Sequence, residues 1–234
     1  EVGNVDPDTP VAYVDKPGPA DLKLSGLPRR GGTELASLLP MQAESEELRT
    51  AIQRAIAEER LLSPPGKNAW ELFQSYLQLP VPQSQKESLQ DDLSIALASK
   101  GEQLLTSYRR GDQVVRLDAA KYEEGALLFA RASQLDPDEP AHRAKARFLA
   151  GRALVESRRF AEGMAELREA IALDPKSAYS YNALGIAYMS QGVWDEAIAS
   201  FQAALQRAEK WIYPRFNLGF VYFNMGRRRE AEQE

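Results

Sequence analysis

The sequence predicts an all-α protein built from repeated helix pairs, and three observations support this prediction. Small and large side chains recur at a fixed spacing of 34 residues in the second half of the chain. Apolar residues elsewhere recur at helical spacing, as in Leu48, Ile52 and Ile56. Prolines and glycines stand between these stretches, where helices commonly end. A fixed period of about 20–50 residues is typical of stacked repeat architectures.

The clearest repeat is the segment Leu184–Tyr188, which recurs 34 residues later as Leu218–Tyr222. Gly151 lies the same distance before Gly185. A second series with the same period marks the partner helices: Phe160 and Trp194; Gly163, Ala197 and Ala231; Leu167 and Phe201; Ala170 and Ala204. The small residues predict helix axes that approach to roughly 8–10 Å.

These residues resemble the tetratricopeptide repeat family over three units, at 144–177, 178–211 and 212–234. The unit 178–211 matches best, with family signature residues at Leu184, Gly185, Tyr188, Ala197, Phe201 and Ala204. It departs from the family at Tyr181, where Trp is common, and at Glu209, where Pro is common. The resemblance implies a helix-turn-helix repeat solenoid, wound as a right-handed superhelix, with a concave groove lined by the first helix of each unit.

We expect three regions along the chain. Residues 1–40 form an extended lead-in rich in Pro and Gly, residues 41–92 form extra N-terminal helices, and residues 93–234 form the repeat array. The array begins with a degenerate unit at 93–143, recognised by Tyr122, Gly125 and Phe129, with an inserted loop around 111–118. Its last unit, 212–234, stops partway through the second helix. We therefore expect the natural protein to be longer, or this end to be covered.

The helices before the clear repeats are predicted from capping residues and prolines. A short helix from Thr33 ends before Pro40, and a longer one runs from about Ser45 to Leu62. The next three are predicted from their ends: one opened by a capping box of Asn68 and Glu71, one opened by a box of Ser84 and Glu87 and ending near Arg110, and one running from Asp118 to Leu135. Trp70, Phe73 and Tyr76 are interpreted as the core contact of these helices against the array.

Composition argues against catalysis and against several classes of partner. The chain has no cysteine and one histidine, His142, so thiolate metal sites and histidine-based catalytic pairs are excluded or incomplete. No phosphate-binding loop or nucleophile elbow is present. We therefore predict no enzyme activity, no cofactor and no metal, and we assign His142 a surface or packing role. The net charge of -5, with mixed signs, gives no reason to expect nucleic acid as a partner.

The chain also lacks an apolar run long enough for membrane insertion. It begins at Glu1 rather than Met, so a leader has been removed or the chain begins inside a longer gene product. The sequence leaves the compartment, cytoplasmic or periplasmic, undetermined. Arg110-Gly111-Asp112 spells an adhesion tripeptide, but a helix end and a turn explain it better.

The predicted function is a protein-interaction scaffold or adaptor that binds a peptide or protein segment in the concave groove. By the resemblance, eleven residues line this groove: Lys145, Phe148, Arg152, Tyr179, Asn182, Ile186, Met189, Tyr213, Phe216, Phe220 and Phe223. The groove would be basic at one end and aromatic at the other. A carboxylate-gripping set known in some family members is not matched, because Phe148 and Ile186 occupy two of its positions.

Competing interpretations remain open at this stage. Lys145 and Arg152 suit solvated charges better than ligand contacts. The three phenylalanines Phe216, Phe220 and Phe223 equally suit packing on a following helix. The chain as a whole could also self-associate through its last unit, giving a homo-oligomer, or serve as the docking or regulatory portion of a larger enzyme.

Overall fold

A computed structural model describes residues 31–110 and 118–234. In these ranges the chain forms ten α-helices: α1 Gly31–Ala57, α2 Ala69–Leu77, α3 Gln83–Arg110, α4 Ala119–Leu135, α5 Pro140–Glu156, α6 Phe160–Leu173, α7 Ala178–Met189, α8 Trp194–Arg207, α9 Ile212–Asn224 and α10 Arg228–Gln233. The chain divides at Pro40 into two units. The first contributes only residues 31–40 of α1 to the description. The second, residues 41–234, contains all the packing discussed below.

Helices α3 to α10 pack as successive antiparallel pairs, as the repeat predicts. Each of them contacts the next along the chain, and the first helices of the units also contact one another, α5 with α7 and α7 with α9. The fold is therefore an all-α repeat solenoid. Its inner layer is formed by α3, α5, α7 and α9.

The glycines mark the closest helix contacts, as predicted. A Cβ at Gly185 would lie 2.6 Å from the Phe201 ring, and one at Gly151 would lie 2.7 Å from Leu167. Gly101 of α3 faces the Phe129 ring in the same way. Gly101 and Gly151 therefore hold the same place in their units, which aligns α3 with α5.

The turns between paired helices repeat as strictly as the glycines. Arg158, Gly192 and Gly226 follow one another at steps of 34 residues. All three have a positive φ, of 59°, 73° and 74° respectively. After each, a backbone N–H bonds back across the helix end, as from Arg159 to Leu154 O at 2.8 Å. These bonds form the Schellman motif, which satisfies carbonyls at a helix C-terminus.

The helices before the array confirm some predicted ends and correct others. Asn68 accepts a bond from the Glu71 backbone N–H at 2.9 Å, and Asp118 caps α4 through the Lys121 N–H at 2.9 Å. The second half of the predicted box at Asn68 is wrong, because the Glu71 carboxylate accepts from the Gly66 N–H instead.

Three predicted boundaries near the N-terminus are also wrong. One helix, α1, runs through Pro40, since a proline removes a single helical hydrogen bond and the chain tolerates that loss here. It ends at Ala57 rather than near Leu62, because Glu59 takes a positive φ and turns the chain. α3 begins at Gln83, so Ser84 lies inside its first turn. Of the predicted lead-in over residues 1–40, residues 31–40 lie in α1, and residues 1–30 lie outside the described residues. Residues 111–117 of the predicted loop around 111–118 also lie outside the described residues.

Trp70, Phe73 and Tyr76 contribute to a core between α2 and its neighbours, as predicted. Phe73 and Tyr76 are fully buried, in a cluster that includes Leu128 and Ala132 of α4. The Arg131 guanidinium lies over the Trp70 ring. The helices before the array therefore share a core with its first unit.

Candidate protein-interaction surface

The predicted groove residues lie on the three inner helices, but their environments differ. Those of α5 are Lys145, Phe148 and Arg152; those of α7 are Tyr179, Asn182, Ile186 and Met189; those of α9 are Tyr213, Phe216, Phe220 and Phe223. The α5 and α7 residues are buried or partly buried, whereas the three phenylalanines of α9 are exposed.

Part of the cover over α5 and α7 is the end of α3. α5 ends at Glu156, five residues after Gly151, whereas α3 continues to Arg110, nine residues after the equivalent Gly101. The difference is about one helical turn. We call residues 107–109 the α3 tip. They extend past the point at which the other inner helices end, and they lie over the inner layer.

Tyr108 of the α3 tip is surrounded by aromatic and polar groups from its own unit and from the next two units. Its ring centroid lies 5.2 Å from Phe148, 6.3 Å from Tyr122 and 6.2 Å from Trp211, with edge-on or tilted geometry. Its hydroxyl accepts a hydrogen bond of 3.3 Å from the Asn182 amide. Burial raises the pKa of Tyr108 above its ordinary value.

Arg109 of the α3 tip extends these contacts across the inner layer. Its backbone carbonyl accepts a bond of 3.1 Å from the Trp211 indole N–H, 102 residues further along the chain. Its guanidinium lies 4.8 Å from the Tyr179 ring centroid. Glu102, about two turns earlier on the same face, pairs with Lys145 at 2.5 Å. Three units of the solenoid thus meet at the α3 tip.

Arg152 is buried, which contradicts its interpretation as a solvated charge. It pairs with Glu156 at 2.8 Å and donates to the Tyr122 hydroxyl at 3.3 Å. Its Nε and Nη1 atoms are buried without a hydrogen-bond partner. Phe148 and Asn182 are buried as well. In this structure these three residues line the space that Tyr108 fills, and they present no open surface.

The exposed part of the predicted surface is a stripe on α9. Phe216 is 73% exposed, Phe223 66%, Ile212 67% and Phe220 49%. Their spacing places them on one helical face over about three turns. We call this stripe the α9 face. It borders an open depression that also involves Arg215 and Ala231. Ile212 was missed from the sequence, although it lies one turn before Phe216.

The α9 face has direct counterparts in the two preceding units. Phe216 corresponds to Asn182 and then to Phe148, at successive steps of 34 residues. Asn182 is 2% exposed and Phe148 is fully buried. α9 helps to cover α7, since the Asn217 amide bonds to Asn182 Oδ1 at 3.0 Å. α7 helps to cover α5, with the Tyr179 and Phe148 rings 5.0 Å apart. In the described chain no further inner helix follows α9.

Comparison with known families accounts for this arrangement. The tetratricopeptide repeat model matches residues 115–177 and 148–210. Residues 115–210 of the chain are tetratricopeptide repeats. Its sequence matches no curated protein. None of the helices in the described ranges is long and apolar enough to span a membrane.

Solved structures similar to this chain include three repeat proteins. MamA residues 41 to the end, from Desulfovibrio magneticus RS-1, is 18% identical with a TM-score of 0.46, covering 81% of this chain and 89% of that one. The first tetratricopeptide domain of human RPAP3 is 17% identical with a TM-score of 0.42, covering 58% and 94%. YrrB is 16% identical with a TM-score of 0.42, covering 85% and 78%.

Proposed function

We propose that this protein is an interaction scaffold that binds an amphipathic helix of another protein on the α9 face. The family supports the general role, because tetratricopeptide arrays are protein-interaction modules rather than enzymes. One observation supports the specific surface: Phe216 is 73% exposed at a position that is buried in both preceding units. Large clustered apolar side chains on a surface commonly mark an interaction site.

A helix is the partner that best fits this face. The equivalent faces of α5 and α7 are each covered in part by the next inner helix of the array. The α9 face presents apolar side chains over about three turns, so an incoming helix of similar length can pack along it in the same way. Helix-in-groove recognition uses this kind of apolar anchoring.

Charge at the edge of the α9 face provides an orientation. Arg215 borders the same depression as Phe216 and Phe220. A partner helix with an acidic residue beside its apolar stripe would pair with Arg215 when docked. Such pairs at the rim of an interface contribute more to orientation and association rate than to affinity.

The test compares the double variant Phe216→Ala/Phe220→Ala with wild type and with Ile95→Ala. Ile95 on α3 is 69% exposed, so its variant removes an apolar side chain of similar exposure outside the α9 face. We expect the double variant to lose at least about tenfold in affinity for partner proteins captured on the full chain, since central aromatic residues dominate interfaces. Ile95→Ala should bind as wild type does, and circular dichroism should show all three helical.

Unchanged binding by the double variant would overturn the assignment of the α9 face. Light scattering over a concentration series measures the molar mass of the protein and so tests the alternative of self-association. The proposal predicts a monomer, whereas a dimer that the double variant abolishes would identify a second copy of the chain as the occupant.

A further inference from the structure

We infer that the concave groove is a binding site for a tyrosine side chain followed by a basic residue, and that the α3 tip occupies this site as an intramolecular ligand. The inference concerns α5, α7 and Trp211, and it does not rest on the α9 face. In the solenoid, Tyr108 and Arg109 have the place that an external segment would take in the groove. A partner segment of the same chemistry would therefore compete with the α3 tip.

The groove contacts of the α3 tip are those of a bound peptide. One aromatic side chain enters a pocket between Phe148 and Trp211, and its hydroxyl bonds to Asn182. One backbone carbonyl accepts the Trp211 indole N–H at 3.1 Å. An anchor side chain, a polar contact at its end and a main-chain hydrogen bond are the usual elements of peptide recognition.

The part of α3 before the tip has anchors of its own in the fold. The helix is anchored before the tip by Leu97 and Leu105, which are fully buried, and by Gly101 against Phe129. Arg109 is exposed apart from its contacts in the groove. Unwinding the last turn would break the tip contacts and leave these anchors in place. The ends of helices are the parts that open at the lowest free energy.

The pocket has polar groups that a tyrosine ligand would use. In an empty pocket the Asn182 amide would lose its bond to Tyr108, which adds to the two buried Arg152 nitrogens, Nε and Nη1, that already lack a partner. Buried polar groups left unpaired disfavour an empty pocket. The basic residue of the ligand would take the place of Arg109 over the Tyr179 ring, near Glu102. Both features favour a tyrosine with a cation after it over a purely aliphatic anchor.

The test uses the full-length chain, labelled with ¹⁵N, and a synthetic peptide with the sequence of residues 102–110. The readout is the indole N–H resonance of Trp211, assigned by its loss in Trp211→Phe. In Tyr108→Ala the pocket is vacated, and we expect the peptide to shift this resonance towards its wild-type position. A control peptide with alanine in place of its tyrosine should have no effect.

In the wild-type chain, where the α3 tip competes, we expect apparent binding of the peptide at least about tenfold weaker. Tyr108→Phe keeps the ring and loses the hydroxyl bond to Asn182, so its affinity for the peptide should lie between those of wild type and Tyr108→Ala. If Tyr108→Ala does not fold, the comparison of Tyr108→Phe with wild type still tests the inference. Equal peptide affinity in all three chains, or no shift in any of them, would overturn the inference.

Discussion

Phe148 and Phe216 hold the same position in the repeat, two periods apart, yet one is fully buried and the other is 73% exposed. Phe148 is covered by Tyr179 of the next inner helix and by Tyr108 of the α3 tip. Phe216 has no such cover within the described residues. The repeat therefore determines which face of an inner helix is apolar, and the neighbouring helices determine whether that face is core or surface. The last unit has an apolar face that is exposed among the described residues.

The largest expected difference in the free energy of unfolding is between alanine substitutions at these two phenylalanines. We expect Phe148→Ala to lower the free energy of unfolding by about 3–5 kcal/mol, because it removes a fully buried ring and leaves a cavity. Phe216→Ala should change it by no more than about 0.5 kcal/mol, as is usual for exposed positions. Urea denaturation followed by circular dichroism measures both. Similar losses in the two variants would show that the α9 face is packed in solution.

A smaller difference in stability should separate substitutions at Gly151, in an inner unit, from those at Gly219, in the last unit. A Cβ at Gly151 would lie 2.7 Å from Leu167 and 3.0 Å from the Gly163 carbonyl, so Gly151→Ala should destabilise the protein by about 1–3 kcal/mol. At Gly219 the nearest atom would be 3.5 Å away, which is ordinary contact. Gly219→Ala should therefore be neutral, or stabilising by up to about 1 kcal/mol through helix propensity. Thermal unfolding of the pair checks the difference, and a loss at Gly219 as large as that at Gly151 would refute it.

The smallest expected change in stability concerns the turn after α5. Arg158 occupies the position that Gly192 and Gly226 hold after α7 and α9. At a φ of 59° a side chain costs about 1–2 kcal/mol, partly offset by the greater flexibility of glycine in the unfolded chain. Arg158→Gly should thus raise the free energy of unfolding by about 0.5–1 kcal/mol. Ser157→Gly, at a φ of −79°, is the matched control and should lower it. A loss of stability in Arg158→Gly would contradict the account of this turn.

The sequence predicted the features that depend on local spacing. Gly185 against Phe201, the cap at Asn68 and the inner helices all follow from short patterns, because each involves residues close in the chain or one period apart. The same period predicts that the exposed phenylalanines of α9 belong to the groove. Whether they bind a partner remains a proposal.

Features that depend on distant contacts were not predicted. The contact between Trp211 and Arg109 joins residues 102 positions apart, and no period in the sequence relates them. The burial of Arg152 follows from that contact region, since Tyr108 and Tyr122 enclose its guanidinium. One signal was available: the sequence predicts that α3 extends to Arg110, about one turn longer than the inner helices of the other units, and such an extra turn can contact the neighbouring units.

The most direct test of the central claim is photocrosslinking from the α9 face. Benzoylphenylalanine is placed at Phe216 in one full-length chain and at Ile95, of similar exposure, in another. After irradiation with captured partners, mass spectrometry maps the crosslinked segments. The account predicts that position 216 alone joins to an apolar stripe on a helix of another protein. Identical products from both positions, or crosslinks from position 216 only to copies of this same chain, would contradict it.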